Sequence, residues 1–166
     1  MKFRPQGILP AMITPLTDSG DVNLPELRKL IRFLLDGGVS GIFAIGTTGE
    51  FYALSRDEYR SILEVTMDEV AGRVPVYAGA NDITTRGSLE LAHIAQEVGV
   101  TALSVLTPMF ISPNQNQVYD HYRVIAENVD IPILLYNNAP KTGVTITPAT
   151  AARLADLPNI VGICRP

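Results

Sequence analysis

Six short apolar segments recur along the chain at intervals of about 30 residues, and no other feature restricts the fold as tightly. They are Ile8–Ile13, Gly41–Ile45, Val74–Ala80, Ala102–Leu106, Ile131–Asn137 and Ile160–Cys164. The stretches between them carry apolar residues at helical spacing. Leu24, Leu27, Leu30, Ile31, Leu34 and Leu35 form one such stripe, and Val118, Tyr122, Ile125, Ala126 and Val129 form another. Short strands alternating with amphipathic helices predict parallel βαβ units.

The spacing also bounds the architecture. A (βα)₈ barrel of ~250 residues uses ~31 residues per unit. A chain of 166 residues therefore holds six units and not eight. The expected fold is α/β, a partial (βα)₈ TIM barrel comprising the first six βα units in one incomplete domain, residues 1–166. A six-stranded open, doubly wound sheet has the same length, and spacing does not separate the two.

Helix ends are punctuated consistently. Ser55-Arg-Asp-Glu58 and Ser112-Pro-Asn-Gln115 both read as capping boxes, and Pro113 and Pro148 each follow a Ser or Thr cap. Gly37-Gly38 and Gly99 read as helix C-caps just before the next strand.

Composition excludes several function classes. A net charge of −4 without any block of like charge argues against a nucleic-acid partner, which needs a clustered basic field. The single cysteine, Cys164, rules out an intrachain disulfide or a multi-cysteine metal site and fits a cytoplasmic protein. Lys2 and Arg4 precede the apolar stretch Ile8–Leu16, but Pro10 and Pro15 interrupt it, so no signal peptide is expected. No run reaches the ~18–20 apolar residues of a membrane span. His93 and His121 fall in helical stretches, are expected at solvated positions, and have no carboxylate at metal-ligand spacing.

In either α/β architecture, function gathers at the C-terminal ends of the strands. The second segment ends in Gly46-Thr47-Thr48-Gly49-Glu50. Glycines that admit close approach, beside threonine hydroxyls and free N–H groups, suit a small carboxylate or phosphate. A plain Gly/Thr turn is the alternative, and there is no nucleotide-binding fingerprint. The fifth segment ends in Leu135-Tyr136-Asn137-Asn138-Ala139-Pro140-Lys141-Thr142-Gly143. Alternation places Leu134 and Tyr136 on one face, so Tyr136 is expected inside the barrel near its mouth. There it serves either as a proton-transfer group or as a core tyrosine bonded to a carbonyl.

Taken in order, Gly46-Thr-Thr-Gly-Glu50, Gly79-Ala80, Thr107-Pro108, Leu135-Tyr-Asn137 with Lys141-Thr-Gly143, and Asn159-Ile-Val-Gly-Ile163 resemble the dihydrodipicolinate synthase and N-acetylneuraminate lyase family. The resemblance runs from about Gly7 to Ile163. It implies a class I aldolase on a (βα)₈ barrel, homo-oligomeric, without metal or organic cofactor. Such an enzyme joins or releases pyruvate, or another 2-oxo acid, and an aldehyde through a lysine Schiff base. By the same resemblance Thr47 matches the relay hydroxyl, Thr48 the carboxylate contact with Gly46 and Gly49 around it, and Tyr136 the proton-shuttling tyrosine.

Three departures follow from the same comparison. Cys164, followed by Arg165 and Pro166, stands where the family carries its Schiff-base lysine. Imine formation needs a neutral amine, so a lysine there must titrate near 7–8 rather than its usual ~10.4. A thiol adds reversibly to a carbonyl but forms no iminium. The chain is thus expected to be inactive, its last three residues reflecting a frame change or an altered chain end. Phe110 replaces a second relay tyrosine, and Lys141 an arginine that binds a substrate carboxylate, keeping charge but losing the bidentate fork. Two other readings remain: a non-catalytic open α/β domain binding a small anion, and a partner completing its barrel with another chain. In the partial barrel the last strand is left as an unpaired edge, for which association or poor solubility is expected.

Overall fold

The computed structural model describes residues 3–165. Lys2 and Pro166 lie outside the described residues. Five strands form one sheet, β1 (Ile42–Ala44), β2 (Val76–Gly79), β3 (Ala102–Leu106), β4 (Ile133–Tyr136) and β5 (Ile160–Cys164), all parallel and in sequential order. The helices are α1 (Leu24–Asp36), α2 (Arg56–Val70), α3 (Thr85–Val98), α4 (Gln115–Ala126), the single turn α5 (Ala139–Thr142) and α6 (Pro148–Leu154), with a 3₁₀ turn at Phe51–Ala53. Strand order decides between the two expected architectures. A doubly wound sheet reverses direction at a switch point, whereas each strand here lies beside its predecessor, as in a barrel wall.

The first expected strand, Ile8–Ile13, is not a regular one. Its residues run alongside β1 and share a single parallel bridge, Ala11 to Phe43. Met12 N–H donates to the Phe43 carbonyl at 2.9 Å, and Phe43 N–H donates to the Pro10 carbonyl at 3.1 Å. Pro10 has no N–H to continue the ladder, so the segment accepts more than it can donate.

The two faces of the sheet are packed differently. Ile42, Val76, Leu103, Val105, Ile133, Leu135 and Ile160 point outward into one large core under the helices. The inner face carries a much smaller apolar cluster, Tyr77, Ala102 and Leu134, with Phe3, Leu9, Phe43 and Val161 against them. Successive helices lie side by side, α1 on α2, α2 on α3, α3 on α4 and α4 on α6. Exposed ion pairs such as Arg28–Asp68 and Arg60–Glu97, each 2.6 Å, link neighbours, and such pairs contribute little.

Most caps form as the residues dictate. Ser55 and Glu58 make a reciprocal capping box, Thr147 caps α6 ahead of Pro148, and Gly38 and Gly99 adopt positive φ after α1 and α3. The box expected at Ser112–Gln115 sits two residues further on, between Asn114 and Gln117. Its side-chain oxygen reaches two N–H groups of the first turn, which leaves Ser112 and Pro113 in the preceding loop.

Candidate functional site

The strands end together, and what gathers there follows from register. Tyr136, the last residue of β4, pairs with Leu106 of β3 and with Cys164, the last residue of β5. One layer deeper, Ser104 pairs with Gly79 and Leu134, and Leu134 with Gly162. A cavity of about 260 Å³ opens over these inner-face residues, lined by Leu9, Ala11, Phe43, Tyr77, Ser104, Leu134, Tyr136, Cys164 and Arg165.

Cys164 faces this cavity because of an irregularity. The register slips between Ile133 and Leu134, which pair with Ile160 and Gly162 and skip Val161. Without that slip, alternation from the outward-facing Ile160 would carry Gly162 and Cys164 to the outer face. A bulge that re-aims a side chain is common beside functional sites. The thiol lies 3.8 Å from Ser104 Oγ and 3.6 Å from the Leu135 carbonyl oxygen. Burial pushes the thiol pKa up, only partly offset by the Ser104 hydroxyl, so the group is a protonated and poorly nucleophilic thiol at neutral pH.

Tyr136 projects inward as alternation predicts. Its ring meets Phe43 edge-on, with centroids 6.5 Å apart. Its hydroxyl accepts from Asn138 Nδ2 at 3.1 Å. Thr47 is not its partner; Thr47 Oγ1 is buried and makes no hydrogen bond. A buried hydroxyl without a partner is costly, so this one marks a place that a ligand or water would satisfy.

The Gly46–Glu50 turn is built against the same strand ends. Ile45, a β-branched residue at φ 56, bends the chain away from β1, an uncommon conformation for its type. Gly49 N–H donates to the Gly46 carbonyl at 3.1 Å, and Thr14 Oγ1 donates to the Gly49 carbonyl at 2.7 Å. Both glycines are close-approach positions. A Cβ at Gly46 would meet the Phe43 ring at 2.9 Å, and one at Gly49 would meet the Met12 carbonyl oxygen at 3.0 Å. Thr48 is exposed on the turn.

Phe110 and Lys141 lie in a neighbouring groove. They share an outer groove of about 450 Å³ with Tyr52, Arg56, Asn81, Asp82 and Met109, not the cavity that Tyr136 and Cys164 line. Phe110 is 94% exposed at φ 75.

A polar network fastens the strand ends. Asn81 Oδ1 accepts from Leu106 N–H at 2.9 Å, and His121 Nε2 lies 3.2 Å from the Leu106 carbonyl. His121 is buried, contrary to the solvated position expected for it, because α4 turns it onto β3. A carbonyl only accepts, so Nε2 carries the proton and Nδ1 accepts from Thr85 Oγ1 at 2.9 Å. Burial lowers its pKa to about 4, opposed by the Leu106 bond. His93 is exposed, with Nε2 3.0 Å from the Asn128 carbonyl. Thr107 Oγ1 donates to Thr142 Oγ1 at 2.9 Å, tying the β3 loop to α5.

Ser104, Asn81 and Asn138 escaped the sequence reading. Ser104 carries a signal, being a hydroxyl within an otherwise apolar strand on the face that alternation assigns to the interior. No described helix is long and apolar enough to cross a membrane.

Sequentially ordered parallel strands, helices on the outer face and a cavity at the strand C-termini define a barrel-type α/β protein of the kind that binds small molecules at its mouth. The chain matches the Dihydrodipicolinate synthetase family over residues 4–165 and belongs to that family. It is 43% identical over 165 residues to the 4-hydroxy-tetrahydrodipicolinate synthase of Methanopyrus kandleri, covering 98% of this chain and 55% of that one. The chloride-inhibited dihydrodipicolinate synthase of Acinetobacter baumannii, complexed with pyruvate, superposes with a TM-score of 0.94 at 38% identity, over 96% of this chain and 55% of that one. A prophage protein of the same family from E. coli K12, also in complex with pyruvate, gives 0.92 at 34% identity over 96% and 54%. The chain thus spans about half the length of the relatives it matches.

Proposed function

We propose that the chain carries the 2-oxo-acid side of a pyruvate-dependent aldolase or synthase site, with Cys164 standing where imine chemistry requires a lysine. One observation carries this reading: Tyr136 and Cys164 are register partners on adjoining strands and line one inner-face cavity. A group at position 164 is thereby within the working radius of a phenol. In this reading the Thr47 and Thr48 hydroxyls grip the carboxylate of pyruvate or a related 2-oxo acid, Gly46 and Gly49 shape the turn for its close approach, and the partnerless Thr47 hydroxyl supports that role. Tyr136 moves the proton, and Lys141 and Phe110 meet the aldehyde partner from the neighbouring groove. No metal or organic cofactor is required.

The consequence at position 164 follows from bonding. An amine condenses with a ketone, losing water to give an iminium that acidifies the adjacent carbon. The Cys164 thiol stops at a tetrahedral adduct, so the adjacent carbon keeps its protons and no carbon–carbon bond forms. The chain as it stands is inactive in this chemistry.

Pyruvate followed by borohydride, read by intact mass and peptide mapping, tests the assignment. The native chain is expected to gain no pyruvyl label, and Cys164→Lys is expected to gain one label at residue 164. Label on the native chain at Lys141 or Lys29 would overturn it, as would a folded Cys164→Lys variant that never labels.

Assembly is part of the same proposal. Tyr52, Ile83, Phe110 and Ile111 are large, exposed and close to the groove, which supports a homo-oligomer. The position of β5 at the edge of the described sheet supports a second reading, in which another polypeptide completes the barrel.

A further inference from the structure

Asn138 occupies the N-cap of α5, where an asparagine ordinarily turns its side-chain oxygen onto the first N–H groups of the helix. It makes no such bond. The turn is closed from its backbone instead, whose carbonyl accepts from Lys141 N–H and Thr142 N–H, each at 3.0 Å, and from Thr142 Oγ1 at 3.2 Å. The side chain is folded back over β4, in a residue only 4% exposed, and its Nδ2 donates to the Tyr136 hydroxyl at 3.1 Å. The preceding asparagine makes the contrast clear. Asn137 Oδ1 accepts from Ile146 N–H at 3.1 Å, a contact that only ties one loop to the next.

The chemistry of a phenol gives the contact its meaning. A tyrosine hydroxyl has one proton to donate and lone pairs to accept with. An amide donor seated on the oxygen leaves the phenolic proton to point elsewhere, and the open direction is the cavity lined by Ser104, Leu134 and Cys164.

We propose that Asn138 is a positioning residue for Tyr136: its amide holds the phenol oxygen as an acceptor, so that Tyr136 presents its proton to whatever carbonyl or carboxylate enters the cavity. When that proton leaves, the oxygen keeps a donor beside it, and the group can take the proton back. Asn138 acts through Tyr136 and touches no substrate. The inference rests on the reading of Tyr136 as the proton-transferring group, but its geometric content is independent of pyruvate.

The test therefore uses the full chain without pyruvate. In chain labelled with ¹⁵N and with ¹³C at tyrosine Cζ, the Asn138 side-chain amide protons are expected to shift and exchange faster in Tyr136→Phe. The Tyr136 Cζ resonance is expected to move in Asn138→Val, with Tyr59 and Tyr122 unchanged. Asn138→Gln, which can still reach the oxygen with an amide donor, is expected to restore part of that shift. Asn138 amide protons indifferent to Tyr136→Phe would overturn the proposal. So would a Tyr136 hydroxyl proton found bonded to Asn138 Oδ1, the reversed polarity. A borohydride experiment that fails while these resonances behave as stated removes the catalytic reading and leaves the hydrogen bond standing.

Discussion

The two faces of the sheet use the same strands for opposite ends. Outward, Ile42, Leu103 and Ile133 are completely buried in a continuous core beneath the helices. Inward, the same strands present Phe43, Tyr77, Ser104, Leu134, Tyr136 and Cys164 around open space. The outer face is close-packed, and there every methylene lost leaves a void. The inner face has room to lose or gain atoms. Stability is thus concentrated on one side of a five-stranded wall, and the polar groups that could meet a ligand sit on the other.

The sharpest way to break this comparison is a cavity in the outer face. Leu103→Ala removes a fully buried side chain from the main core and is expected to cost about 2–5 kcal/mol in chemical denaturation. A cost below about 1 kcal/mol would mean that the outer core is not what holds the strands.

Acid should find the same face. His121 has a folded-state pKa of about 4 against an ordinary 6.5, because its buried site opposes the charged form. A depressed folded value means the unfolded chain binds the extra proton first. The stability His121 contributes is complete above about pH 6.5 and is lost as pH falls toward 4. That difference corresponds to roughly 3 kcal/mol at the acid end. Denaturation measured across that window should show the slope in the native chain and a flatter profile in His121→Gln. Identical slopes would place the acid-sensitive group elsewhere.

How much of this was legible beforehand depended on whether local rules were enough. Five of the six expected strands form, as β1 to β5, each within its segment read from the sequence, since apolar runs between helix caps are local signals. Ile8–Ile13 fails as a regular strand because Pro10, for all the apolar residues around it, has no N–H to continue the ladder. Tyr136 faces inward by simple alternation. Cys164 does so only through the slipped register at Val161, which no period-two reading anticipates. His121 looked like a polar residue on a helix; its burial depends on a carbonyl of β3 and a hydroxyl of α3, both distant in sequence. Phe110 and Lys141, grouped with the site by resemblance, line a neighbouring groove together with residues that follow β1 and β2, a grouping that depends on tertiary placement and not on local pattern.

The smallest expected effect gives the finest test of the comparison. Gly162 sits on the inner face opposite Leu134, and a Cβ added there would meet Leu134 Cδ2 at 3.1 Å. That contact is tight, but the other atom is a methyl end of a flexible side chain beside the open cavity, so it can move aside. Its φ is not in the left-handed region, and glycine in a strand carries an entropic cost that alanine relieves by about 0.4–1 kcal/mol. Gly162→Ala is therefore expected to change stability by less than about 1 kcal/mol in either direction. On the outer face added carbons have nowhere to go. Ala78→Val, at a fully buried position among the helices, is expected to cost about 1–3 kcal/mol through overpacking. If denaturation curves show the two substitutions costing the same, the inner face is packed as tightly as the outer one, and the cavity that brings Tyr136 and Cys164 together has no room for a ligand.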